Sequence, residues 1–367
     1  MNEPFHRSVT IGVELESYTI VVPDHYVSRQ LLFPRKGLSE KGERFTRDWS
    51  IGSEYNSRPF RSIREGLFLL KAGLRKYDAG LYRSFSTTHR SRKPLLVGGW
   101  RDRFAGTHIH LATAHKPLDR KTAGLFAYHL HDHIPLLIAV GANSPVWGDT
   151  ITELASNRII RASKLYFRPG KRRGLTSRSL DEMLFSRGRI TKPPTLEIRV
   201  MDANIPEYAM AAVCLVKAIV LRALRRKAAT NKLRHPAYLE TRENAARKGM
   251  KAELCWSGRW MSAADYLDRF FWVYRAELAE MDIPQEMWTT FKLLKRGFDG
   301  SALLHACAQG AYDEHPQTWQ RRFCKRYASA IDLLLSGNTI LDFAKALRVE
   351  VPDTREVWLG RRRLKLL

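Results

Sequence analysis

Residues 9–22 read VTIGVELESYTIVV, and this stretch decides how the rest of the chain is read. Val, Ile and Thr dominate it, which predicts an extended strand. Successive strand side chains point to opposite faces, so Glu14 and Glu16 share one face while Leu15 points to the other. The same spacing recurs in His108-Ile109-His110 within GTHIHLA and in Glu197-Ile198-Arg199 within TLEIRV. Each motif aims two polar groups one way and an apolar residue into a core. Charged groups on half-buried strands cost free energy unless they are paired or hold a cation. Convergence of the three strands on one site is the simplest reading.

Outward from these motifs, DWSIGSEYNSRPF (48–60) predicts a short strand carrying Glu54 and closed by Pro59, while 24–46 reads as a connection rich in Pro, Gly and charge. Ile63, Leu67, Leu70, Leu74 and Tyr77 recur at helical spacing, which predicts an amphipathic helix over 62–77 capped by Ser62. Strands are expected at 95–99 and 106–112, the second with the His pair, then one long helix at 119–142. Residues 151–167 mix helix and strand patterns and stay open. RPGKRRG (168–174) reads as a basic loop, 179–187 as a short helix, and PPTLEIRVMD (193–202) as a strand. From Glu207 onward the pattern is helical. It comprises 208–228, then 263–280 opened by the acidic capping-box variant Ser262/Asp265, then three more helices. The expected organisation is an α/β catalytic region, 1–205, with a helical region, 206–367, packed on it.

The 367 residues are 44% hydrophobic, enough for a real core. The longest uncharged apolar runs, 134–142 and 208–216, stop at about nine residues, short of a membrane span. MNEPFHRSV offers no basic start or apolar stretch of a signal peptide, and the four cysteines form no C-x-x-C pair, so a reduced cytoplasmic protein is expected. Sixty-two basic against 37 acidic residues leave +25, a field that attracts phosphates, nucleic acid or other polyanions. A solvated basic surface explains the same surplus.

Glu14, Glu16, Glu54, His108 and Glu197 form an oxygen-rich set that suits Mg²⁺ or Mn²⁺ better than zinc. They carry more negative charge than one such ion takes from protein, so two or three ions bridging a nucleotide phosphate match them better. Arg199 would sit where a transferring phosphoryl group gathers charge. The chain has neither a Walker A loop nor a G-x-G-x-x-G fingerprint, so any ATP must be held by metals and arginines. His129, His131 and His133 alternate on a predicted helix, where that spacing points them apart, and are read as non-ligands.

Taken in order, IGVELE, the Glu54 strand, GTHIHLA, NSPVWGDT and PTLEIRVMD resemble the type 2 glutamate–cysteine ligases, carboxylate–amine ligases with a glutamine-synthetase-like fold. The likeness spans about residues 8–225. It implies an α+β architecture: an antiparallel half-barrel with helices on its outer face, then the helical C-terminal region. It also implies ATP with Mg²⁺ or Mn²⁺ on the concave face. Glu16 and Glu54 would hold the ion near the acceptor carboxylate, and Glu14, His108 and Glu197 the ion bridging the phosphates. Arg199 would stabilise the migrating γ-phosphoryl group. The implied reaction phosphorylates a carboxylate, and an amine then attacks the acyl phosphate to form an amide.

Around this core, Ser144, Arg158, Arg161 and His110 make up the expected ATP- or substrate-binding set, the arginines following the Ser144-Pro145 turn as the family's arginine does. For the arginines a surface role, and for His110 a structural one, stand as the alternatives; Asp48 either assists Glu54 or starts a turn. SYTI after the Glu pair and Val146-Trp147 after Pro145 depart from the family, so glutamate and cysteine do not follow as substrates. The basic loop 168–173 points to an anionic substrate, such as a peptide or a polymer-linked acid. Phosphotransfer to a nitrogen acceptor is a second reading, and a polyanion- or RNA-binding protein on a degenerate ligase scaffold a third. The expected partners are a carboxylate and an amine, with no membrane; homo-oligomers stay open.

Overall fold

A computed structural model of the chain describes residues 4–34, 42–84, 91–162, 182–188, 192–226 and 228–360. The basic loop 168–174 and the arginines at 361–363 lie outside them. Val9–Val22 forms β1, followed by β2 (Tyr26–Val27), β3 (Arg44–Asp48), β4 (Gly52–Asn56), β5 (Ser91–Leu95) and β6 (Gly106–Thr113). Two short strands, β7 (Val146–Trp147) and β8 (Thr150–Ile151), precede β9 (Met183–Ser186) and β10 (Thr195–Asp202). Between and after them lie α1 (Ile63–Ser84), α2 (Arg120–His131), α3 (Ile134–Gly141), α4 (Asn157–Arg161) and α5 (Pro206–Arg225).

The main sheet runs β3-β4-β1-β6-β10-β9, with β2 and β5 paired to the far end of β1. All its pairings are antiparallel, and it curls into a half-barrel. β1 is its spine, joining β4 through 14–17, β6 through 9–15 and β5 through 18–22. Alternation sends Val13, Leu15, Tyr55, Ile109 and Ile198 to the outer face, each at most 1% exposed. There α1, α2, α3 and α5 cover them. The 20-residue α5 is almost wholly buried, with Pro206 in its first turn where a missing N–H costs nothing.

The C-terminal part comprises α6 (His235–Lys248), the hairpin β11 (Glu253–Trp256) and β12 (Arg259–Ser262), then α7 (Ala263–Val273), α8 (Arg275–Glu280), α9 (Gln285–Lys295), α10 (Gly300–Glu314), α11 (Trp319–Leu335) and α12 (Ile340–Ala346). One apolar cluster runs from Val9 through α5 to Val349. The four cysteines are buried free thiols. Among the described residues no helix is long and apolar enough to cross a membrane.

Several expectations needed correction. The strand expected at 95–99 lies at Ser91–Leu95 instead. The helix expected over 119–142 is two helices, because Pro135 cannot donate a backbone hydrogen bond and crowds the preceding turn. The helix expected over 179–187 is an edge strand where described: Met183 and Phe185 are buried alternately, and β9 pairs with β10. The region after Glu207 contains the β11–β12 hairpin, turning at Ser257-Gly258 with both φ positive (48° and 84°), a geometry that matches strand twist. The segment 263–280 breaks at Tyr274, whose hydroxyl is held by His133. Among the described residues four helices, not three, follow it.

Candidate active site

Register brings the three motifs together. Glu14 lies opposite His108, Glu16 opposite Glu54, and His110 sits between Gly12 and Glu197. Directly opposed residues share a face, so all these side chains project from the concave side. His108 Nδ1 is 3.4 Å from Glu14 Oε2 and 3.5 Å from Glu197 Oε1, and its Nε2 is 3.9 Å from Glu16 Oε1. His110 Nε2 is 3.0 Å from Glu14 Oε1.

Two triads could each hold a metal ion, with donor atoms within 4.8 Å of one another: Glu14/His110/Glu197 and Glu16/Asp48/Glu54. The first includes His110, while His108 stands between Glu14, Glu16 and Glu197. The second includes Asp48, whose Oδ1 also accepts from the Ser50 and Ile51 amides. The donor set is carboxylate oxygen plus imidazole nitrogen, which fits Mg²⁺ or Mn²⁺. Two buried nitrogens add to the fit: among the described residues, neither His108 Nε2 nor His110 Nε2 makes a hydrogen bond. His110 Nε2 thus approaches Glu14 without a hydrogen-bonding alignment, as two ligand atoms aimed at a common centre do.

The electrostatics describe a pocket with surplus negative charge. Burial would raise the Glu14 carboxyl, but the His108 and His110 imidazoles outweigh it and hold it well below the usual range. Glu54 is raised, first by burial and then by the charge of Glu14, although Thr46 and Asn56 donate to it. Both of those donors reach Oε1, each at 2.6 Å. Burial disfavours protonated His108, yet the Glu16 charge and the Glu14 hydrogen bond raise it on balance. The Gly106 amide donates to Glu16 Oε2 at 2.5 Å, and Lys192 Nζ reaches Glu14 Oε1 at 3.3 Å.

Arg199 stands at the edge of this cluster, its Nε 3.2 Å from Glu197 Oε1. It lies where β10 slips register against β6 between Ile198 and Met201, which releases its peptide from that ladder. Its amide donates to the Glu182 carbonyl at 2.9 Å. Arg158 takes up the other side, donating from Nη2 to the Arg199 carbonyl at 2.9 Å and from Nη1 to that of Met201 at 3.2 Å. Glu182 is itself clamped by Tyr238 and Arg242.

The other expected binding residues lie behind or beside this face. Ser144 is fully buried, and its hydroxyl donates to Asp202 Oδ2 at 3.1 Å. Arg161 donates from Nε to Asn157 Oδ1 at 3.0 Å and lies over the Trp147 ring. His110 Nδ1 meets Thr195 Oγ1 at 3.2 Å. His131 stacks on Tyr238 and His133 is buried among Tyr266, Thr230 and Tyr274, well apart in their contacts. Sequence reasoning missed Thr46, Asn56, Lys192, Glu182 and Asp202. The period-two pattern Arg44, Thr46, Asp48 was the one available signal for the first of these; the others carry none.

No protein-family model matches the sequence, and no curated protein matches it either. Solved structures do. The Pup ligase PafA, in complex with the prokaryotic ubiquitin-like protein Pup, aligns at TM-score 0.59 and 13% identity over 94% of this chain and 81% of its own. Glutamate–cysteine ligase from Francisella tularensis aligns at 0.57 and 12%, over 93% and 92%. The bifunctional glutathione synthetase from Pasteurella multocida aligns at 0.56 and 10%, over 95% and 58%. The chain has the fold that these three structures share. At such identities the fold alone is shared, and any chemistry rests on the side chains of the concave face.

Proposed function

We propose that this protein is an ATP-dependent carboxylate–amine ligase, built as a catalytic half-barrel (1–205) with a helical region (206–367) packed on it. One observation carries the reading: two adjacent acidic triads share the concave face, with Arg199 beside one of them. The neighbours named as a Pup ligase and a glutamate–cysteine ligase support it through the common fold.

Glu14, His110 and Glu197, with His108 between them and Glu16, would hold a divalent ion toward the ATP phosphates. Glu16, Glu54 and Asp48 would hold a second toward the acid. Bound ions would supply charge neutralisation, letting a carboxylate approach a triphosphate. Glu14 stays ionised and keeps its oxygens available as ligands, while Thr46 and Asn56 fix the Glu54 rotamer. Arg199 offers its guanidinium to the γ-phosphoryl oxygens as the carboxylate oxygen attacks phosphorus and ADP departs. The amine nitrogen then bonds to the acyl carbon, inorganic phosphate leaves with the C–O bond electrons, and the nitrogen gives up a proton. The surplus of arginine favours an anionic acid substrate, free or attached to a peptide.

The test is incubation with ATP, Mn²⁺ or Mg²⁺ and pooled carboxylates and amines, with mass detection of new amides. Amide, ADP and free phosphate should appear in equal amounts, and Glu16→Gln and Glu197→Gln should abolish all three while the fold persists. ADP without free phosphate would replace the ligase reading with phosphotransfer to nitrogen, and absence of turnover would remove both.

A further inference from the structure

The concave face does not account for the charge of +25. Part of the surplus gathers around the turn that follows β1. On one side, Val21, Tyr26–Gln30, Leu32, Arg92 and Arg101 are among the residues that line or border a cleft of about 360 Å³. On the other, Pro23, His25, Thr318, Arg321, Arg322 and Lys325 line a second of about 500 Å³. The turn therefore borders both basic clefts as a ridge, and among the described residues no acidic side chain lines either, although Asp24 sits on the turn itself.

Several of these cations are poorly neutralised, although Arg101 pairs with Asp149 at 2.9 Å. Among the described residues, Arg29, Arg321 and Lys325 form no ion pair. Arg321 and Lys325 are four apart on α11, where like charges repel. Arg322 does pair with Glu314, at 3.2 Å, but Glu314 is shared with Arg326 and Arg348. Burial and then the charges of Lys325 and Arg321 disfavour protonation of His25, against a hydrogen bond to the Pro23 backbone and the charge of Asp24. A folded chain gains nothing from such crowding, whereas a bound anion relieves every one of these repulsions.

We propose that this ridge and its two clefts bind the phosphodiester backbone of single-stranded nucleic acid, Arg29, Arg321 and Lys325 neutralising phosphates. Two clefts across a ridge suit an extended chain better than a compact anion. Apart from Pro23, the larger cleft is lined by polar or charged groups, as backbone-binding surfaces are, and lacks the apolar anchors of a peptide interface. Tyr26, 41% exposed on the ridge, offers a ring on which a base can stack.

The experiment measures binding of a labelled single-stranded RNA by fluorescence anisotropy across a salt series. Removing three cations as R29Q/R321Q/K325Q should weaken binding about tenfold or more and flatten the log–log salt slope by about two. K121Q/K248Q/K251Q, which removes equal charge elsewhere, should retain wild-type affinity. Tyr26→Leu should weaken binding several-fold with charge unchanged. Equal losses in the two triple variants would assign binding to the field of the whole molecule and overturn the proposal. So would a wild-type protein that does not bind RNA, an unchanged Tyr26→Leu affinity, or displacement of RNA by polyglutamate of matched charge, which would identify an acidic protein partner. Because none of these readouts involves ATP, failure here leaves the ligase reading untouched.

Discussion

The guanidinium of Arg158 grips the backbone of Arg199: Nη2 donates to its carbonyl oxygen at 2.9 Å, and Nη1 to that of Met201 at 3.2 Å. An arginine expected to touch ATP or substrate instead has two of its nitrogens committed to the irregular part of β10. Burial is also the main effect lowering the affinity of this guanidinium for its proton, so the site is a costly one for a cation.

Arg158→Lys should therefore lower kcat about a hundredfold, since an ammonium cannot bridge both carbonyls and Arg199 would lose its aim. KM for ATP should stay near the wild-type value. Steady-state kinetics decide: a raised KM with unchanged kcat would show that Arg158 contacts the nucleotide directly.

The Glu54 carboxylate lies in a crowd of like charge, raised first by its burial and then by Glu14. Glu54→Gln keeps the Oε1 acceptor for Thr46 and Asn56 while removing the charge. Without metal, the variant should unfold at the same temperature as wild type or higher. With Mn²⁺ and a non-hydrolysable ATP analogue at a hundredfold excess over Kd, wild type should gain about 2.7 kcal/mol and the variant clearly less. Thermal melts with and without ligand check both; a destabilised metal-free variant would contradict the account.

Asp202 is pushed up to about 6 by burial, against hydrogen bonds from the Asn143 amide, Ser144 and Ser156. A carboxyl whose folded value exceeds its unfolded 3.8 favours the folded state most when protonated. Its contribution is therefore full below the unfolded value and falls as pH rises to about 6, by about 3 kcal/mol in all. Asp202→Asn cannot titrate. The wild-type stability relative to this variant should shrink across that window and then level off, read from denaturant unfolding at a series of pH values.

Two glycines of the site should respond oppositely to alanine. A Cβ at Gly106 would fall 2.7 Å from Arg158 Nη2 and 2.8 Å from His108 Nε2, whereas one at Gly12 meets only His110 Cβ at 3.8 Å. Gly106→Ala should displace both side chains and lower kcat about tenfold or more. Gly12→Ala should retain activity. Equal activity of the two variants would show that Arg158 and His108 need no fixed placement.

The strands of the candidate site were legible because their information is local. Alternation along one backbone tells which of Glu14, Leu15 and Glu16 share a face, whatever the neighbours are. Capping was local too: Ser62 and Ser262 accept from the amides three residues on. Short segments were harder. MLFS at 183–186 is compatible with a helix until β10 lies beside it, and the hairpin at 253–262 looks helical until Ser257 and Gly258 take positive φ.

By itself the sequence determined which side chains share a face within each strand, because side-chain direction follows from a strand's two-residue period. Which imidazole completes a triad with Glu14 and Glu197, that Asp48 joins Glu16 and Glu54, and that Arg158 braces Arg199 were decided only in the tertiary structure. Those outcomes depend on strand register and on the slip in β10, and both are set by packing among segments far apart in the chain.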